Sequence, residues 1–138
     1  MKNALRNAAR WLRQAEYDLK QAERLLEEGV FSYAAFFAEQ SAQKSLKAFL
    51  LSRGRRLVAI HSVGELAREA VKLEGKFQPL IDRAKRLDRH YLTARYPDAL
   101  PEPAIPAEAY AREDAEEAVT TARIVFDTAR SAIGPAPK

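Results

Sequence analysis

The chain has no cysteine among its 138 residues, so disulfides and thiolate metal sites are both excluded. It has two histidines, His61 and His90, and no His-x3-His or His-Glu-x-x-His spacing, so a histidine-based metal centre is not expected. No apolar run approaches the ~18–20 residues needed to span a bilayer, and the polar N-terminus does not read as a signal peptide. A cytoplasmic protein without a membrane role is the expectation. No segment alternates apolar and polar residues long enough to make a strand, and no Gly-x4-Gly-Lys phosphate loop is present. Asn3 and Asn7 are the only asparagines and 30% of residues are charged, a composition compatible with heat adaptation.

Helical period dominates what is there. Ala8, Trp11, Leu12, Ala15, Leu19, Ala22, Leu25 and Leu26 recur at three- and four-residue steps, predicting a long first helix that ends at Gly29. A second, over 31–52, is apolar around most of its circumference, as expected of a central helix or one partly covered by another subunit. Ser62 and Glu65 have the spacing of a capping box and open a third helix that ends near Gly75. A fourth is predicted over 77–94, then an extended loop forced by Pro97, Pro101, Pro103 and Pro106. A last helix over 112–133 has an acidic first turn, as the helix dipole favours, and 134–138 reads as a frayed tail. The fold class is all-α, an up-and-down bundle of four to five helices forming one domain with its core over about 8–133.

Charge is uneven within a net +4: residues 76–95 carry a local +4 and residues 102–117 a local −5. Such segments either pair with each other or leave the basic one to bind a polyanion. Gln40, Lys44 and Lys47 lie on one face of the second helix, where they either hold a phosphate or simply give an apolar helix its wet side. Each histidine is either structural or a general base near neutral pH. Arg95 and Asp98 flank a proline turn, either as a clamp that fixes the turn or as a ligand-facing pair.

The chain resembles the HEPN domain ("higher eukaryotes and prokaryotes nucleotide-binding"). Trp11, Leu12, Ala15, Asp18, Leu19 and Ala22 carry the likeness in the first helix, and Gly29 follows. The second helix adds Tyr33, Ala34, Phe36, Phe37, Ala38, Glu39, Gln40, Ser41, Ala42, Lys44, Leu46, Lys47 and Ala48. His61-Ser62, Leu66, Leu87-Asp88, Tyr91, Arg95-Tyr96-Pro97-Asp98 and Tyr110 complete it, over about 8–133. The resemblance implies a short helical bundle that usually forms a homodimer and binds nucleotide or RNA. It also implies a minimal nucleotidyltransferase as genomic neighbour, some such pairs being toxin–antitoxin systems. Some branches are metal-independent ribonucleases with an Arg-x4–6-His motif near the start of the final core helix, usually assembled across the dimer.

This chain departs from that motif: the offsets after Arg95 hold Leu100, Pro101 and Glu102. The spacing recurs at Arg56…His61, in a loop, and at Arg83…His90, whose members lie about 10 Å apart along one helix axis. The leading expectation is therefore a non-enzymatic, dimeric binding module without a cofactor. Lys44, Lys47, His61, Arg89 and Arg95 would contact phosphate, Asp98 would orient Arg95, and Tyr91 or Tyr96 would stack on a base. The alternatives are a ribonuclease using His61 or His90 with Arg95, and an interaction protein whose second helix, with Phe36, Phe37 and Phe49, is mostly subunit interface.

Overall fold

The structure, a computed structural model, describes residues 2–55 and 59–135. Arg56 of the Arg56…His61 spacing and tail residues 136–138 lie outside them. Among the described residues there are seven α-helices and no strand: α1 (Lys2–Glu27), α2 (Phe31–Ser52), α3 (Val63–Val71), α4 (Ile81–Leu87), α5 (His90–Thr93), α6 (Pro106–Ala109) and α7 (Arg112–Ile133). None is long and apolar enough to cross a membrane. The all-α expectation holds, with three long helices as the frame.

Alanine sets how closely α1 and α2 approach. Ala8, Ala15 and Ala22 on α1 and Ala34, Ala35, Ala38 and Ala42 on α2 are fully buried, and the Ser41 hydroxyl donates to the Ala15 carbonyl at 2.8 Å. A small hydroxyl reaches a neighbouring helix backbone only where no bulky side chain separates the two. Gly29, at φ +80°, ends α1 in the left-handed conformation that glycine adopts without steric cost. It lets Val30 N–H reach the Leu25 carbonyl (2.9 Å) and Gly29 N–H the Leu26 carbonyl (3.1 Å), the paired bonds that close a helix and reverse the chain.

Helix α2 is central, packed between α1 and α7, with the α3–α5 segment on its remaining side. Its Phe49 ring meets Phe77 at a centroid distance of 4.7 Å. Ala115, Ala118, Ala122, Val125, Phe126 and Ala129 are the buried stripe of α7. The Asp114 carboxylate accepts the Ala111 N–H at 2.9 Å, anchoring the acidic first turn of that helix.

The fourth predicted helix is divided. A 3-10 turn over Gly75–Leu80 containing Pro79 precedes α4, since proline removes one backbone donor. Asp88 and Arg89 keep right-handed helical dihedrals, but the bonds tighten to i−3 there, from Asp88 N–H to the Lys85 carbonyl and from Tyr91 N–H to the Asp88 carbonyl. The proline-rich stretch is also less extended than expected. It holds a 3-10 turn at Pro97–Ala99 and α6, with Pro97 and Pro106 opening them, a first-turn position where a missing N–H costs nothing.

Candidate functional site

The sequence-predicted site residues fall into separate environments around α2. The first is an aromatic cage around Arg95. The last carbonyls of a helix have no partner within it, and α5 is only four residues long. Arg95, two residues past its end, donates from Nε (2.9 Å) and Nη2 (2.6 Å) to the Tyr91 carbonyl. Its guanidinium then lies over Phe36 of α2 at 4.3 Å, and over Tyr91 and Tyr96 at 4.8 Å each, in reach of the negative ring faces. Tyr91 and Tyr96 stay 41% and 50% exposed, so the cage opens to solvent.

Asp98 does not orient Arg95. No ion pair or hydrogen bond joins them among the described residues, and Asp98 is exposed. Pro97 starts a 3-10 turn that carries Asp98 onward, while the Tyr91 carbonyl, one helical turn back, is already in place.

The second environment is the polar face of α2. Glu39 is fully buried, accepting from the side-chain amides of Gln40 (2.8 Å) and Gln43 (3.0 Å). Burial pushes its carboxyl above the ordinary range, against the two amides. The Asp88 carboxylate adds to the rise and the Arg95 guanidinium opposes it. Lys47 was expected to contact phosphate, but it is 5% exposed with its ammonium 5.7 Å from the Trp11 ring centroid. Burial lowers its pKa and the Glu39 carboxylate pulls the other way. Trp11 on α1 closes over this position, which the spacing of α2 alone does not reveal. Lys44 lies nearer the surface and donates to Asp18 Oδ2 at 2.5 Å, with Gln14 donating to Oδ1 at 3.1 Å. Beside them is a groove between α1 and α2 of about 580 Å³, lined by Arg10, Trp11, Arg13, Gln14, Tyr17 and Lys44.

The third environment surrounds His90, which is 3% exposed. Its Nδ1 lies 2.7 Å from the Tyr110 hydroxyl, which is 2.9 Å from the Thr93 hydroxyl. Burial lowers its pKa to about 4, helped by the Arg89 charge and opposed by Asp114 and Glu117. Burial raises that of Tyr110. Arg89 is 3.7 Å from Asp114, and Arg86 Nε donates to Glu117 at 2.9 Å. The basic and acidic segments thus pair within the chain, and Arg89 is an ion-pair member rather than an unengaged phosphate contact. Arg83 donates to Thr121 at 3.1 Å, a separate partner from that of His90.

His61 is exposed, immediately before the cap of α3. Ser62 accepts the Glu65 N–H at 3.2 Å, as the capping box requires. The carboxylate that completes this cap comes from Asp88. It accepts Val63 N–H at 2.6 Å, Ser62 Oγ–H at 2.8 Å and Gly64 N–H at 3.2 Å. Among the described residues no group of three or more His, Cys, Asp or Glu side chains converges as a metal site would.

Arg10, Arg13, Gln14 and Tyr17 are not among the expected site residues, although their i, i+3, i+4, i+7 spacing puts them on one side of α1. Glu39 is not among them either. A lone carboxylate in an apolar helix, with amides one and four residues on, was the available signal.

A family model for the HEPN domain matches residues 8–132. The chain belongs to the HEPN family. Two solved structures share this HEPN fold. TT1696 from Thermus thermophilus has a TM-score of 0.82 and 33% identity, covering 96% of this chain and 99% of that one. ST0689, an archaeal HEPN homologue, has a TM-score of 0.75 and 30% identity, covering 92% of this chain and 98% of that one. In sequence, the chain is 28% identical over 131 residues to "Putative toxin MJ1304" of Methanocaldococcus jannaschii, covering 89% of this chain and 86% of that protein.

Proposed function

We propose that this HEPN chain is a non-enzymatic binding module that works as a homodimer and recognises the phosphate of a nucleotide or RNA through Arg95. One observation carries the reading. The Arg95 guanidinium is held edge-on by the Tyr91 carbonyl and flanked by aromatic faces, with no carboxylate paired to it among the described residues. A pre-oriented arginine with exposed tyrosines beside it can grip a phosphate while a tyrosine stacks on a base.

The ribonuclease alternative has less support. His90, the histidine nearest Arg95 in sequence, is buried against Tyr110 and Thr93, a different set of partners from the rings around Arg95. The toxin designation of the MJ1304 protein supports a place in a toxin–antitoxin-like pair, and the family resemblance supplies the minimal nucleotidyltransferase as its second protein.

The test is native mass spectrometry of untagged protein from its own host, followed by titration of the wild type and Arg95→Ala with ATP, GTP and short RNAs at low salt. The expected result is a homodimer carrying a nucleotide-sized adduct or a co-purifying nucleotidyltransferase, with the calorimetric binding heat reduced in Arg95→Ala. A bare protein that binds none of these at millimolar ligand would end the reading.

A further inference from the structure

The α1–α2 groove is built on a different principle from the Arg95 cage. Arg10, Arg13, Gln14 and Tyr17 lie on one side of α1, and Lys44 of α2 supplies the facing wall. The Asp18 carboxylate beside it is 4% exposed and committed on both oxygens, one to Lys44 and the other to Gln14. It is therefore spent on Lys44 and Gln14 rather than on either arginine. Neither arginine has a hydrogen-bond or ion-pair partner among the described residues, unlike Arg86, Arg89, Arg123 and Arg130, each of which meets a carboxylate.

Two aromatic groups share this space. Tyr17 is 60% exposed, a large apolar area with no intramolecular cover. Trp11 lines the groove while its ring also receives the buried Lys47 ammonium. The volume, about 580 Å³, falls within the ~300–1,000 Å³ range of small-molecule sites. Paired guanidiniums suit a phosphate, flat ring faces suit a heteroaromatic base, and the Gln14 amide is placed to meet a base edge or a ribose hydroxyl.

We infer that this groove binds a nucleoside phosphate, its phosphate on Arg10 and Arg13 and its base against Tyr17 and Trp11. The inference deepens the binding-module reading and rests on it, but it names a second place on the molecule made of other residues. The same chemistry is offered by a free mononucleotide and by the end of a single-stranded RNA.

Trp11 is the only tryptophan in the chain, so intrinsic fluorescence reports on this groove directly. The full-length protein is titrated with AMP, GMP, a short single-stranded RNA and inorganic phosphate, following Trp11 emission and calorimetric heat. The variants are Arg10→Ala/Arg13→Ala, Tyr17→Ala and Arg95→Ala, each checked for helicity and oligomeric state.

The expected result is saturable Trp11 quenching that weakens with salt. It should weaken about tenfold or more in the double arginine variant, as loss of charge-assisted contacts predicts, and persist in Arg95→Ala. Quenching by mononucleotides assigns a free nucleotide; quenching by RNA alone assigns a strand end. Binding that leaves Trp11 emission unchanged and is lost only in Arg95→Ala overturns the groove while leaving the Arg95 reading intact. Inorganic phosphate binding as tightly as AMP overturns the stacking role, and a change of oligomeric state in the double variant assigns the groove to a subunit contact instead. Absence of any ligand heat or quenching in the wild type removes both.

Discussion

The Asp88 carboxylate holds the N-terminus of α3, with Oδ1 accepting the Val63 N–H at 2.6 Å. Two further donors, Ser62 Oγ–H and Gly64 N–H, converge on Oδ2. A helix start leaves its first N–H groups without partners, and an anion there meets both their hydrogen bonds and the helix dipole. Asp88→Ala is expected to cost about 2–3 kcal/mol, as for a charge-assisted cap, and Asp88→Asn less. Urea denaturation of the three proteins checks the order; equal stability would show that water replaces the carboxylate.

His90 makes stability depend on pH in mildly acid solution. Its folded pKa, about 4, lies below the ordinary 6.5, so the unfolded chain binds its proton more tightly. The contribution is complete above 6.5 and is lost as pH falls towards 4. At about 1.4 kcal/mol per pKa unit this amounts to about 3–4 kcal/mol. His90→Phe keeps a ring in the cavity without the titration, and its unfolding free energy should be flatter over that interval. A profile as steep as the wild type would move the effect to other groups.

Glu39 acts in the opposite sense. Its folded pKa is raised above 4.5, so its contribution is complete below 4.5 and is lost as pH climbs through the raised value. Glu39→Gln stays neutral throughout and can still accept one amide hydrogen bond. Measured by chemical denaturation, the variant should gain on the wild type as pH rises and match it most closely in acid. A constant offset at every pH would contradict the assignment.

The bounds of α2 and α7 could be read from the sequence because apolar period and end signals agree there. α2 follows Gly29 and ends before Gly54, and α7 starts on an acidic turn. The start of α3 was equally legible at Ser62. The division of 77–94 was not, because the residues of α4 and α5 share one helical period and the tightening at Asp88 goes with a carboxylate bonded to another helix. The site was less legible than the fold for a similar reason. Lys44 and Lys47 look alike along α2, and only the placement of Trp11 and Asp18 on α1 separates an ion-paired lysine from one sunk beneath an indole. The Arg95 partner was misjudged because a nearby acid is visible in sequence, whereas an orphaned carbonyl depends on where α5 stops.

Helix α2 is the second element made and α7 the last, yet the two pack directly against each other. During synthesis the α1–α2 hairpin can close as soon as it leaves the ribosome, since its contacts span a short loop. The side of α2 reserved for α7 then stays bare while some sixty further residues (53–111) are added. Exposed apolar surface of that kind invites association with other chains. The nascent chain is therefore at its stickiest between the emergence of α2 and that of α7, and a chain cut short before Arg112 should be recovered with chaperones or in aggregates rather than as a smaller soluble bundle.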